Sequence, residues 1–174
     1  NGTLLRKYVY GPEIDEPVCM ITASGTKYYY HFDGLGSVIA LSNTSGGIVE
    51  RYSYDVFGDP NRTSSVGNPY FFTGRQYDAE TGNYYYRARY YKPSIGRFLQ
   101  PDTIGYAAGL NLYTYCDNNP VNWIDPFGLC KDGKYLGTWG VLVWPNFVGK
   151  NGTTGKYVCI DYYQQGPNIK RKWS

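Results

Sequence analysis

The sequence is poor in the residues that carry most enzyme chemistry. It has one histidine, His31, in 174 residues. A zinc site would need nearly every candidate ligand in the chain, so neither a metal nor any other cofactor is expected. The four cysteines, Cys19, Cys116, Cys130 and Cys159, form no CxxC pair and show no zinc spacing. No serine motif accompanies His31, which argues against a Ser-His-Asp triad and leaves a strand or turn histidine. No apolar run is long enough to cross a membrane. No signal peptide is visible, and the chain begins at Asn1 rather than Met. It reads as a processed or truncated product. No segment has the pattern of a long helix.

What is abundant points to strands. Aromatics make up 18% of the chain, with Tyr 21, Gly 22 and Pro 10. Tyrosine suits a pleated, half-buried surface that takes the ring and leaves the hydroxyl near water. Glycine and proline supply frequent turns. The composition predicts an all-β fold, mainly antiparallel and hairpin-rich, with short Tyr-rich strands. Short helical turns are expected only near residues 105–125, where "AAGLNLYTYC" has better helix formers and "NNP" stops them.

Turn signals mark the strands. "KYYYHF" (Lys27 to Phe32) precedes a turn at Asp33-Gly34. "SVIALS" (Ser37 to Ser42) and "IVERYSY" (Ile48 to Tyr54) flank "NTSGG", a hairpin with glycines for the positive-φ positions. "PYFFTGRQY" and "NYYYRARYY" flank "DAETG", a second hairpin from Pro69 to Tyr91. Alternation in its second arm puts Tyr84, Tyr86, Ala88 and Tyr90 on one face. Tyr85, Arg87, Arg89 and Tyr91 fall on the other. Two arginines beside tyrosines can bind phosphate or stack on bases; pairing with carboxylates is the reading preferred here. In the tail, "VLVW" and "KYVCIDYY" read as strands around a loop at Gly149 to Gly155.

Charge divides the chain. The formal net charge is +3. After Leu129, Lys131, Lys134, Lys150, Lys156, Lys170, Arg171 and Lys172 stand against Asp132 and Asp161, giving +5 and leaving −2 for residues 1–129. A basic tail favours anionic partners in principle. A solvated, strand-rich tail is the simpler reading, and a nucleic-acid partner is not expected.

Long motifs then converge. "YVYGPEIDEPV", "YYYHFDGLGSVIAL", "ERYSYDVFGDP", "FTGRQYDAETGNYYYRARYYKPSIGRFLQPDTIG" and "LNLYTYCDNNPVNWIDPFGL" together resemble the RHS repeat-associated core domain over residues 8–129. Tyr52, Tyr54, Asp55, Phe57 and Gly58 resemble the associated YD repeat. The resemblance implies a core domain, bounded here as residues 1–129; residues 130–174 lie outside it and read from their own pattern as a small, β-rich, basic tail. The resemblance implies a part of a hollow β-shell, although a stretch this short is too small to close a cocoon. In bacterial members, such as polymorphic toxins and insecticidal toxin complexes, the core ends in a DPxGL segment. The chain beyond it is variable cargo that the core releases by autoproteolysis.

Carried over by residue, the resemblance implies that Asp102 of "QPD" and Asp125 of "WIDP" are the cleavage aspartates. Arg89 of "RARYY" matches an arginine implicated with them. The cleavage junction would be Leu129–Cys130, after "DPFGL". Asp102 and Asp125 lie 23 residues apart, so the chain must fold back to join them. Two close carboxylates share a proton, which suits one to activate water and the other to polarise a carbonyl. Arg89 can hold a carboxylate or stabilise an oxyanion. Tethering the substrate makes such a cut feasible, as at most a single-turnover aspartyl autoprotease. From spacing alone, aspartate beside proline more often belongs to a turn or caps a helix.

If the protein is secreted, disulfides are plausible. A Cys130–Cys159 bond would close a loop within the tail, worth about 3–4 kcal/mol. Cys19 and Cys116 would remain as the other pair, though four cysteines allow three connectivities.

Two functional readings follow. The first is a self-processing RHS core in a secreted or cell-surface, extracellular protein, presenting or releasing the extension after Leu129. Its partners would be the RHS shell or neighbouring subunits of the same protein. Forty-five residues seldom make an independent enzyme without staples, and the tail has no histidine, HxxE or HNH-like pair, which excludes most nuclease chemistries. A small pore-forming or binding element fits better. The second reading is a structural subunit of a secreted surface fibre or filament, a homo-polymer reusing the core. "GVLVWPNF" would add a strand to a neighbour's sheet edge.

Overall fold

The computed structural model describes residues 5–12, 15–103, 105–108, 110–129, 132–133, 160–165 and 168–173. Among them the structure is antiparallel β with short 3-10 turns and no α-helix, the expected class. Strands β1 (Arg6–Tyr10), β2 (Pro17–Thr22), β3 (Lys27–Phe32), β4 (Val38–Ser42) and β5 (Ile48–Arg51) form a five-stranded meander in chain order. Strands β6 (Gln76–Asp78), β7 (Asn83–Tyr86), β8 (Arg89–Lys92) and β9 (Arg97–Phe98) form a second, four-stranded meander. Two short ribbons follow: β10 (Trp123–Ile124) with β11 (Asp132–Gly133), and β12 (Ile160–Gln165) with β13 (Asn168–Trp173).

One four-residue turn recurs. Asp33 Oδ1 accepts the Leu35 and Ser37 amides, Asn43 Oδ1 those of Ser45 and Gly47, and Asp55 Oδ1 those of Phe57 and Asp59. Glycine stands three residues after each, at Gly36, Gly46 and Gly58, with φ of +81° to +88°. The side chain closes the turn, and the glycine takes the left-handed backbone that other residues resist. The predicted NTSGG hairpin is thus present, with Gly46 at the positive φ. At the Asp33 turn the positive φ falls on Gly36, beyond the Asp33-Gly34 pair expected to turn.

The predicted second hairpin is corrected in both arms. "PYFFTG" is no strand: Phe72–Gly74 is a 3-10 turn, with Thr73 at φ 49°. The reason is packing. A strand would send Phe71 and Phe72 to opposite faces, whereas the turn buries both. The second arm breaks at Arg87–Ala88 into β7 and β8, closed by the pair Tyr86↔Arg89. Alternation holds for Tyr84, Tyr85 and Tyr86 and then resets. Arg89 and Tyr91 join Tyr84 and Tyr86 inside, while Tyr85 and Tyr90 face solvent. Helical turns at 72–74 and 93–95 therefore lie outside the expected 105–125 window, which holds those at 105–108 and 116–118. The predicted strand Ile48–Tyr54 ends at Arg51, and Tyr54 makes only a bridge to Pro60. "VLVW" lies outside the described residues, and only the end of "KYVCIDYY" appears, as β12.

Both meanders share one aromatic core. Tyr84, Tyr86, Tyr91 and Tyr115 are fully buried with Phe71, Phe98, Met20 and Leu41. Each buried hydroxyl needs a partner. Tyr84 donates to the Gly58 carbonyl at 2.9 Å and Tyr91 to that of Phe57 at 2.7 Å. Tyr86 shares bonds with Thr73 and Tyr115. Backbone bonds stitch the sheets, Val38 N–H to Phe71 at 3.0 Å among them.

Glu50, buried at the end of β5, accepts hydrogen bonds from the Tyr52, Ser64 and Ser65 hydroxyls and the Ser65 and Val66 amides. Burial pushes its carboxyl up, but these donors outweigh it and hold the pKa down at about 2.

The expected Cys19–Cys116 disulfide is not formed. Both are buried thiols. Cys19 lies inside β2, between Val9 and Tyr29, and Cys116 starts the 116–118 turn against the second meander, so the fold packs them in different places. Cys130 and Cys159 lie outside the described residues.

Candidate functional site

Three distant stretches meet at one guanidinium. Arg89 opens β8 and is only 2% exposed. Its Nη2 lies 3.0 Å from Asp102 Oδ2 and 3.4 Å from Asp125 Oδ2. Its Nε donates to the Gly128 carbonyl at 2.6 Å and its Nη1 to the Leu112 carbonyl at 3.1 Å. The guanidinium lies over the Phe98 ring, 3.7 Å from the centroid, a cation–π contact in a dry setting. A planar fork with fixed donors suits this convergence as a lysine would not.

Each aspartate heads a tight turn. Asp102 follows β9; its amide donates to the Leu112 carbonyl at 2.9 Å, and its own carbonyl accepts from Gly105 at 3.1 Å. Asp125 follows β10. Its Oδ1 accepts the Leu129 amide at 3.0 Å, and its carbonyl accepts from Gly128 at 3.3 Å. The "DPFGL" segment thus repeats the turn that joins the strands, with Gly128 at φ +65°. A Cβ on Gly128 would overlap the Tyr86 carbonyl oxygen.

The structure therefore brings Arg89, Asp102 and Asp125 together beside Leu129, while Cys130 lies outside the described residues. Arg87 is separated from Arg89, against the predicted shared face. It is partly exposed and pairs with Asp15, at 2.7 Å. Both arginines have carboxylate partners, the preferred alternative to phosphate. His31 is a strand residue, its Nε2 2.9 Å from Ser42 Oγ. Among the described residues, no group of three or more His, Cys, Asp or Glu is placed to hold a metal ion. Sequence reasoning missed Gly128, Phe98 and Leu112. Only the glycine of "DPFG" carried a signal, as a fourth copy of the turn pattern.

A family model for the teneurin YD-shell matches residues 1–121. The chain belongs to the teneurin YD-shell family. It is a core domain of the RHS/YD-repeat family, as its motifs implied. It is similar to the tRNA3(Ser)-specific nuclease WapA of Bacillus spizizenii, 40% identical over 136 residues, which is 74% of this chain and 6% of that protein. It is also similar to the double-stranded DNA deaminase toxin A of Burkholderia cenocepacia, 32% identical over 134 residues, 73% of this chain and 9% of that one. Among solved structures, the Photorhabdus luminescens Tc holotoxin pore superposes with a TM-score of 0.63 at 27% identity, over 77% of this chain and 7% of the other. The YD-shell chain thus spans less than a tenth of the length of these three.

Proposed function

We propose that this chain is the self-processing core of a secreted or cell-surface, polymorphic-toxin-like protein, residues 1–129, followed by an extension at 130–174 that it presents or releases. Asp102 and Asp125 form the acid–base pair. Two carboxylates meet one guanidinium, and the cut requires one member to act as base and the other, carrying a proton, as acid. The ionised member takes a proton from water as the water oxygen bonds to the Leu129 carbonyl carbon. The protonated member gives its proton to the Cys130 nitrogen as the C–N bond breaks. The products are the Leu129 carboxyl group and a new amino terminus, and the aspartate pair again holds one proton with its two members' roles exchanged. Arg89, itself buried, supplies fixed positive charge beside the junction. Because the substrate is the chain itself, the reaction turns over once.

The observation that carries this reading is the single Arg89 side chain, which contacts both aspartates and the carbonyl of Gly128, next to the junction. Family membership and relatives named as a nuclease, a deaminase toxin and a holotoxin support a cargo-bearing assembly with shell or neighbouring subunits. Intact mass after folding tests it. Wild-type chain should give residues 1–129 and 130–174 as separate masses, and Asp102→Asn should fold and stay whole. A wild-type chain that keeps its full mass would overturn it.

A further inference from the structure

Arg87 occupies a position that chemistry assigns to glycine. It is the first residue of the two-residue connection between β7 and β8, with φ +60°. Hairpins with positive φ there favour glycine strongly. A long, charged side chain held in this conformation is strained. Strain of this kind persists where the side chain does something glycine cannot.

What Arg87 does is visible in its contacts. Its Nη1 donates to the Pro126 carbonyl, and its guanidinium lies 5.2 Å from the Phe127 ring centroid. The next residue, Ala88, donates its amide to the Phe127 carbonyl at 3.3 Å. The next, Arg89, donates from Nε to the Gly128 carbonyl at 2.6 Å. Three consecutive residues grip three consecutive carbonyls. The segment before Leu129 is held like an added strand, although its turn geometry prevents a regular ladder. Arg87 is itself fixed from the other meander: Asp15, between β1 and β2, meets Arg87 Nη1 at 3.1 Å and Nη2 at 2.7 Å, and Arg75 Nη2 at 2.6 Å.

We propose that Arg87 is a positioning residue. Held by Asp15, it clamps the Pro126–Phe127 backbone so that Leu129 is presented to Asp102 and Asp125. It touches no reacting atom. The role rests on the cleavage reading above, but the clamp itself is measurable without it.

The test uses the full chain with Asp102→Asn, which is not cut. Amide hydrogen exchange is followed with and without Arg87→Gly, which keeps the turn's φ at no strain, and separately with Asp15→Asn. Exchange at Ala88 and Leu129 should quicken at least about tenfold in Arg87→Gly and by less in Asp15→Asn, with the Leu41 amide of β4 unchanged. Unchanged exchange at Ala88 and Leu129, or equal loss at Leu41, overturns the clamp. In the cutting background, Arg87→Gly should slow cleavage at least about tenfold, and Arg87→Lys, which keeps one donor, should recover part of it. Cleavage of Arg87→Gly at the wild-type rate overturns the positioning role. If the wild-type chain is never cut, the cleavage reading falls, and the exchange arm alone decides the clamp.

Discussion

Gly128 shows how much one residue decides at this site. Its φ of +65° and its approach to the Tyr86 carbonyl are separate demands. Gly46 makes the comparison, since its φ is +81° and nothing stands within 4 Å of an added Cβ. Gly46→Ala should cost only the conformational term, about 1 kcal/mol. Gly128→Ala should cost more and also displace Leu129 from Asp125; on the proposed cleavage it lowers the cut fraction at least about tenfold. Denaturant melts and intact mass of the two variants read both effects; Gly128→Ala cut at the wild-type rate would contradict the geometry. The positive φ is readable as a fourth copy of the turn pattern; the approach to Tyr86 is not. The aspartates and Arg89 were found through long motifs rather than spacing, because 23 intervening residues do not reveal their own path.

Among elements, β5 and the loop after it are fastened by one carboxylate. The lowered pKa of Glu50, about 2, fixes the sign of its pH dependence. A depressed carboxyl contributes stability that is fully present above its ordinary value of 4.5 and is lost as pH falls toward 2. Glu50→Gln should cost about 3 kcal/mol at neutral pH, because buried donors lose a charged acceptor. It should also flatten the stability profile across that acid window. Urea melts at several pH values measure this, and an equal slope in both proteins would refute it. The β3, β4 and β5 hairpins were legible because alternation and turn residues agree there. The β7–β8 break was not, because "YYYRARYY" alternates on paper as one strand. Burying Arg89 against two carboxylates outweighs that pattern, and no local signal announces partners 13 and 36 residues further on.

For the whole molecule, a core built of tyrosine sets an alkaline limit. Burial, with the Glu50 hydrogen bond, pushes Tyr52 up to about 12. Burial raises Tyr54, Tyr84 and Tyr115 as well. A raised pKa means stability that is complete below the ordinary value of 10 and declines as pH rises through the folded values. Unfolding above that value should be cooperative, with tyrosinate absorbance and loss of β-sheet circular dichroism rising together. Ionisation of the buried tyrosines while the dichroism stays native would disprove it. Composition foretold the tyrosine-rich strands, but not that one aromatic cluster would join both meanders. That depends on the 72–74 turn placing Phe71 and Phe72 side by side, a choice made by tertiary packing against local alternation.

The turn shared by Asp33, Asn43, Asp55 and Asp125 also bears on descent. Asp125 serves conformation through one oxygen and Arg89 through the other. A lineage that stopped cutting would still be selected to keep an aspartate or asparagine there, simply to bend the chain. Persistence of Asp125 in a homologue is therefore no record of an active junction, and on the proposed mechanism the ancestry of cutting has to be traced through Arg89, Asp102 and Asp125 inherited together.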